Sequence, residues 1–284
     1  MNILVTGGRG QLGCSIQKIS TEYPQHTFFY TDLPESDIAD REGMLGLVEQ
    51  NSIDLIVNCA AYTAVDKAES EPDAAWRVNA LGPGVLGEIA AEKGIKLIHI
   101  STDYVFDGTG DRPITEDRPV HPLGVYGSTK AQGEQAIRES GCDAAIIRTA
   151  WLYSEFGNNF VKTMLRLGSE RDKLGVVDDQ IGTPTYAPDL ARAILVLAEK
   201  GISGCEIYHF SNEGEVTWYD FARMIFVLTN NPIPVAPLET KDFPTPAQRP
   251  AYSVLSKEKI RVAGVEAPYW VDSLKICLKA LDKI

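Results

Sequence analysis

The sequence predicts an α/β fold: a doubly wound parallel sheet with a smaller C-terminal lobe. Short apolar runs alternate strictly with helical patterns through the first 150 residues. A glycine-rich turn directly follows the first of those runs. After Ala150 the alternation loosens and leads into a proline-rich stretch. Strand and helix in alternation imply βαβ units, and right-handed crossovers then put helices on both faces of a parallel sheet.

The elements read in order as follows. "NILVT" (Asn2–Thr6) is a buried strand, and a glycine turn and a helix from about Gln11 follow it. "TFFYTD" (Thr27–Asp32) is the second strand. "DREGMLGLVEQN" (Asp40–Asn51) is a helix with Met44, Leu45, Leu47 and Val48 on its apolar side. "DLIVNCAA" (Asp54–Ala61) is the third strand. Pro72–Lys93 reads as one long helix with a possible break at "LGPG". "KLIHIST" (Lys96–Thr102), a helix over Tyr126–Glu139 and "AAIIRTA" (Ala144–Ala150) complete the first half. Beyond it, "NNFVKTMLRLGSER", "TYAPDLARAILVLAEK" and "TWYDFARMIFVL" are helical, and "LGVVDD" and "EIYHF" are strands. "NPIPVAPLETKDFPTPAQRP" carries six prolines in twenty residues. It reads as an ordered loop wrapping a cleft, because helical patterns resume after it. The expected partition is a nucleotide-binding domain over 1–150, rejoined by elements from about 172–210, and a substrate lobe from 151–171 and 211–284.

Composition narrows the function. A net charge of −12 disfavours nucleic acid and anionic membranes as partners, so an anionic ligand needs a locally positive pocket. No uninterrupted apolar stretch reaches ~18 residues, so no membrane-spanning helix is expected. "MNILVTGG" reads as a first strand, not a signal peptide. Five scattered cysteines without a CxxC or Cys/His cluster fit a reducing cytoplasm and no metal site. His26, His99, His121 and His209 lie far apart, and each reads as structural.

"TGGRGQLG" places Gly7, Gly10 and Gly13 at three-residue spacing between a strand and a helix. Only glycine lets backbone approach a pyrophosphate so closely, and the helix N-terminus adds amide donors. This is the mark of a Rossmann-type dinucleotide site. Strand two ends at Asp32, about 20 residues on, where a carboxylate grips the adenosine ribose. Arg9, inside the loop, is either a ligand for the 2′-phosphate of NADP or a solvated loop residue. NADH or NADPH is thus the expected cofactor, with Asp32 favouring NAD.

"YGSTK" puts Tyr126 and Lys130 four residues apart, on one face of a helix. Strand four ends at Ser101 and Thr102, where an open α/β sheet binds its ligands. A hydroxyl, a phenol and an ammonium therefore converge beside the expected dinucleotide. Together they suit proton donation to a carbonyl that receives hydride, with the ammonium lowering the phenol's pKa.

Taken together, the glycine loop, "NCAAYTAVDKAE" (Asn58–Glu69), "STDYVFDG" (Ser101–Gly108), "YGSTK", "RTAWLY" (Arg148–Tyr153), "GNNFVKTML" (Gly157–Leu165), "DDQIGTPT" (Asp178–Thr185) and "RPAYSVL" (Arg249–Leu255) resemble a known family. It is the dTDP-4-dehydrorhamnose reductases, within the extended short-chain dehydrogenase/reductases. The resemblance covers nearly the whole chain. It implies Tyr126 as proton donor to the C4 oxygen, Lys130 on the nicotinamide ribose and Thr102 on the carbonyl. It implies pyrophosphate contacts from the backbone at Gly10, Gln11 and Leu12. Asp37 and Ile38 would meet the adenine, and Ala61, Tyr62 and Thr63 the middle of the cofactor. Thr102, Asp103 and Trp151 would face the dTDP-4-keto-6-deoxysugar, although Trp151 also reads as a core aromatic at the lobe junction. Arg249 is the candidate for the diphosphate, or else a structural arginine of its loop.

Some relatives carry a metal-binding glutamate where this chain has Ser15, which argues against a magnesium-bridged dimer; a homodimer of another kind stays open. The rivals are a nucleotide-sugar 4,6-dehydratase or 4-epimerase, a reductase making a different 6-deoxysugar, and a non-catalytic subunit on the same fold. Dehydratases of this fold resemble one another in an Asp-Glu pair after the threonine, but here Asp103 precedes Tyr104. The intact Thr102, Tyr126 and Lys130 argue against a non-catalytic subunit.

Overall fold

A computed structural model describes residues 1–284. The first half runs β1 (Asn2–Thr6), α1 (Gln11–Ile19), β2 (Thr27–Thr31), α2 (Arg41–Gln50), β3 (Leu55–Asn58), α3 (Val65–Ala68), α4 (Pro72–Trp76), α5 (Gly82–Lys93), β4 (Lys96–Thr102), α6 (Val125–Ser140) and β5 (Ala144–Thr149). Then come β6 (Leu152–Tyr153), α7 (Phe160–Glu170), β7 (Leu174–Val177), β8 (Ile181–Gly182), β9 (Thr185–Tyr186), α8 (Ala187–Lys200) and β10 (Cys205–His209). The chain ends with β11 (Val216–Thr217), α9 (Trp218–Leu228), β12 (Val235–Leu238), α10 (Glu258–Val262) and α11 (Trp270–Ala280).

Six strands form one parallel sheet in the order β10-β5-β4-β3-β1-β2. Alternate residues of each strand point to opposite faces. Ile3, Val5, Val57, Ile98 and Ile147 face one layer, where α1 and α8 pack. Leu4, Ile56, Leu97 and Ile146 face the other, with α2 and α5. Both faces are covered, which explains why these strands are apolar throughout. The chain leaves β1 toward β2 on one side and reaches β3 on the other, so a crevice opens at the carboxyl ends of β1 and β3.

The expected Pro72–Lys93 helix is continuous but changes pitch over Arg77–Leu81, where it takes a π turn. Gly82 donates to Arg77 O, five residues back. Pro83 has no amide hydrogen for the preceding turn, so the regular ladder gives way just before the "LGPG" break anticipated from sequence.

The second lobe has its own core, in which Val161, Phe221, Ile225, Trp270 and Leu274 of α7, α9 and α11 pack together. The expected return to the sheet near residue 172 differs from what is found. Leu174–Val177 pairs in parallel with Val235–Leu238, inside the proline-rich stretch, and not with the six-stranded sheet. The return begins only with α8, whose Ala187, Leu190 and Ile194 pack on the sheet. Ile260, Ala263 and Val265, expected in the substrate lobe, also join that layer. Local strand pattern identified β7, but a two-strand pairing across some sixty residues of sequence leaves no local signal.

Candidate active site

A cleft of about 780 Å³ opens at the carboxyl ends of β1, β3, β4 and β5. Gly7, Gly10, Gln11, Leu12, Asp32, Asp37, Ile38, Ala61, Tyr62, Thr63, Thr102, Asp103, Tyr126, Lys130 and Trp151 all line it. Gly13, Arg9 and Arg249, also singled out from sequence, do not.

The glycine loop is built for close approach. Gly7 has φ +66°, and a Cβ there would sit 2.6 Å from the Ala60 amide nitrogen. Gly10 ends the loop as N-cap of α1 without a side-chain cap, so the first amides of the helix lack that partner. Such a cradle fits a pyrophosphate. Asp32 accepts from the amides of Arg9 and Leu33, both at 2.8 Å. The Arg9 guanidinium turns outward to Leu33 O and Glu35, each at 2.7 Å. The Arg9 side chain is thus engaged by Leu33 and Glu35, while its backbone amide is held by Asp32. Asp37 pairs with Arg77 at 2.7 Å. Tyr62 N–H donates to Asn79 Oδ1 at 2.9 Å, and Asn79 Nδ2 donates back to Tyr62 O at 3.1 Å. The π turn thus holds the Ala61–Thr63 segment in place.

Helix α6 is fixed at its start and in its middle. The Val125 amide donates to Glu69 Oε1 at 2.8 Å, and one turn past Lys130 the buried Glu134 is gripped by Arg148 at 2.6 and 2.9 Å. Ser101 adds a hydrogen bond to Glu134 at 2.5 Å. Gly127 packs against Tyr104 O and Gly133 against Asn79 O, with no room for a side chain at either. These contacts set where Tyr126 and Lys130 point.

Tyr126 is half-buried and meets Tyr104 edge-on, with centroids 5.4 Å apart. Burial pushes its phenol up to about 12, aided by nearby Asp103, while the Thr102 hydroxyl opposes the rise. This corrects the expected lowering by Lys130. The reason is geometric: Lys130 directs its Nζ to Ile100 O at 2.6 Å and lies 3.3 Å from His99 Nε2. Its own pKa falls to about 8, chiefly through burial, with Glu134 opposing. Thr102 Oγ1 accepts from Tyr104 N–H at 3.2 Å and donates to Asp103 Oδ1 at 3.0 Å. Burial raises Asp103 to about 6, and its Oδ2 has no partner although it is buried.

Trp151 takes φ +49°, which few non-glycine residues adopt, and stacks on Trp218 with centroids 3.5 Å apart. The two readings of Trp151 therefore merge: it is a junction aromatic that also faces the cleft. Arg249, by contrast, pairs with Asp66 at 2.8 Å and donates to Ala247 O. Sequence reasoning missed Asn58, His99, Glu69 and Asn159. Asn159 caps α7 and donates to Gln11 Oε1 at 2.9 Å, tying the glycine loop to the second lobe. The signal for Asn58 and Glu69 was their place at the two ends of one quoted motif; His99 looked like a strand filler.

The family described as "RmlD substrate binding domain" matches residues 1–283. The chain belongs to this family. A family relative from Aggregatibacter actinomycetemcomitans, named dTDP-4-dehydrorhamnose reductase, is 43% identical and aligns over 96% of this chain and 97% of its own. A crystal structure of a dTDP-4-dehydrorhamnose reductase from Clostridium acetobutylicum superposes with TM-score 0.94 at 42% identity, covering 99% of this chain and 100% of that one. Another, from Bacillus anthracis in complex with NADP, gives TM-score 0.94 at 37% identity over 98% and 99% of the two chains. The family assignment agrees with the resemblance carried by the motifs.

Proposed function

We propose that the protein reduces the C4 keto group of dTDP-6-deoxy-L-lyxo-4-hexulose, giving dTDP-L-rhamnose, with NADH or NADPH as reductant. The observation that carries this reading is the convergence of Thr102, Tyr126 and Lys130 on one cleft beside a glycine cradle. Full-length relatives bearing that enzyme name support it.

A reduced nicotinamide held in the cleft supplies a hydride, that is, two electrons and one of the two hydrogens the carbonyl needs. The chain supplies the other. Tyr126 Oη gives its proton to the C4 oxygen as the carbonyl becomes an alkoxide. A phenol at about 12 stays protonated until that oxygen becomes basic, so it acts as an acid. The Thr102 hydroxyl, whose one hydrogen points to Asp103 Oδ1 at 3.0 Å in the free cleft, would turn that hydrogen to the carbonyl as the second donor. Lys130, anchored through Ile100 O at 2.6 Å, would hold the nicotinamide ribose. Gln11 and Leu12 would offer their amides to the pyrophosphate, and Asp32 would accept from the adenosine ribose hydroxyls. The sugar nucleotide lies between the lobes, with Trp151 as its flat wall.

The partner is a small nucleotide-sugar. No helix is long and apolar enough to cross a membrane. Five free cysteines fit work in a reducing cytoplasm. The test is to generate the 4-keto sugar from dTDP-glucose with a dehydratase and an epimerase, add the protein and either cofactor, and identify the product by NMR. dTDP-L-rhamnose is expected. A different 6-deoxysugar, or no cofactor-dependent product, would overturn the proposal.

A further inference from the structure

Behind Lys130 runs a buried polar chain that the reaction as described does not use. Thr6 Oγ1 donates to Asn58 Oδ1 at 2.7 Å, and the Ala60 amide donates to the same oxygen at 3.2 Å. Asn58 Nδ2 lies 3.0 Å from His99 Nδ1, and His99 Nε2 lies 3.3 Å from Lys130 Nζ. Asn58 and His99 are both essentially inaccessible to solvent.

The donor and acceptor roles along this chain are forced. A backbone amide can only donate, so the Asn58 atom that meets Ala60 is the carbonyl oxygen. The Asn58 NH₂ then faces His99, and an NH₂ also only donates. Nδ1 of His99 is therefore the bare acceptor nitrogen. Burial, then the nearby Lys130 charge, hold the imidazole well below its usual pKa, so the ring is neutral. A neutral ring with bare Nδ1 carries its hydrogen on Nε2.

We propose that His99 is a positioning residue for Lys130: Asn58 holds its ring as the Nε2–H tautomer, and that N–H faces the Lys130 amine. Toward an ammonium, an N–H is one donor meeting another. Toward a neutral amine it is a proper donor to the lone pair. His99 therefore biases Lys130 toward giving up a proton.

The other groups around Nζ are few. Ile100 O accepts from it and favours the ammonium. Glu134, on the same helix, also favours the ammonium, but its charge is shared with Arg148 and Ser101. Cys59, at the end of β3, is a thiol that burial keeps protonated. Tyr126 lies one turn back along α6 and carries no charge before it reacts. Burial is the main reason that Lys130 falls to about 8, and a donor N–H from His99 acts in the same direction. A lysine that exchanges protons near neutral pH can restore the Tyr126 proton between turnovers, which a lysine near its ordinary value does poorly.

The kinetic arm of the test rests on the reductase reading; the spectroscopic arms do not. In wild-type protein with ¹⁵N-labelled histidine, long-range ¹H–¹⁵N NMR near neutral pH should show His99 with hydrogen on Nε2 and none on Nδ1. An Nδ1–H ring or an imidazolium would overturn the proposal, whatever the enzyme's activity. His99→Gln puts an amide oxygen within reach of Lys130 and offers it an acceptor. Its ¹³Cε-lysine titration, read without substrate, should move up by roughly one pH unit. The alkaline limb of kcat should move with it, with cofactor affinity retained. A folded variant whose Lys130 titration and alkaline limb both stay at the wild-type position would overturn the proposal. If the variant does not fold, the wild-type tautomer decides.

Discussion

Arg249 Nη2 lies 2.8 Å from Asp66 Oδ2, and this pair joins the proline-rich stretch of one lobe to α3 of the other. The Ala247 amide adds a second link to Asp66 at 3.2 Å. Lys130 is the one cation among the residues lining the cleft, which also include Asp32, Asp37 and Asp103. A dianionic diphosphate entering there needs a further positive charge, and Arg249 can supply it by exchanging Asp66 for phosphate. Losing a charge-assisted contact weakens binding by ~1.5–3 kcal/mol. Arg249→Ala should then raise KM for the nucleotide-sugar roughly ten- to a hundredfold, with NADH affinity unchanged. Steady-state kinetics of the folded variant check this. Unaltered KM would move the search to Lys162 or Arg166.

Cofactor preference follows from Asp32 and Arg9. Asp32 disfavours a 2′-phosphate, and Arg9 can favour one only by leaving Glu35. NADH and NADPH should both work, within roughly tenfold of each other, or about 1.4 kcal/mol. Asp32→Ala should shift the ratio of kcat/KM values toward NADPH, and Arg9→Ala toward NADH. Glu35→Gln should free Arg9 and also favour NADPH. Constant ratios across all three would place these residues away from the 2′ position.

Asp103 gives a pH signature in stability. Its carboxyl ionises at the ordinary 3.8 in the unfolded chain but only near 6 in the fold. The folded state therefore holds the extra proton between these values. This contribution to stability is complete below 3.8 and is lost as pH rises through 6. Two pKa units correspond to roughly 2–3 kcal/mol. Urea unfolding of wild type and Asp103→Asn from pH 4 to 7 should show that decline in the first only. Parallel curves would mean that Asp103 titrates alike in both states.

Tyr126→Phe removes the proton donor and leaves the ring. Turnover should fall on the order of 10²-fold or more while cofactor binding persists. Wild-type turnover in this variant would assign the acid elsewhere.

The sheet and the glycine cradle were legible because their causes are local. Alternation, one glycine loop and a carboxylate about 20 residues later each act within a few residues of themselves. "YGSTK" was legible for the same reason, as helical spacing puts Tyr126 and Lys130 on one face. The direction of the Tyr126 shift was not legible. It comes chiefly from burial of the phenol, while Lys130 turns its Nζ to Ile100 O, thirty positions away, and helical spacing reports neither. The ion pair of Arg249 was not legible either, since its partner Asp66 is 183 residues distant. His99 looked ordinary because a histidine in an apolar strand is usually filler. Only the sheet register, which sets Asn58 beside His99, gives it a role.

In this reduction the hydride reaches C4 from the cofactor, and the proton reaches the C4 oxygen from Tyr126. The most direct measurement uses NADPH or NADH deuterated at the transferring C4 position, with the dTDP-4-keto-6-deoxysugar generated in place. NMR then locates the label in the product. One deuterium is expected on C4 of the dTDP-L-rhamnose formed and none on its C3 or C5. Product without deuterium at C4, or cofactor left unoxidised while the sugar changes, would contradict it.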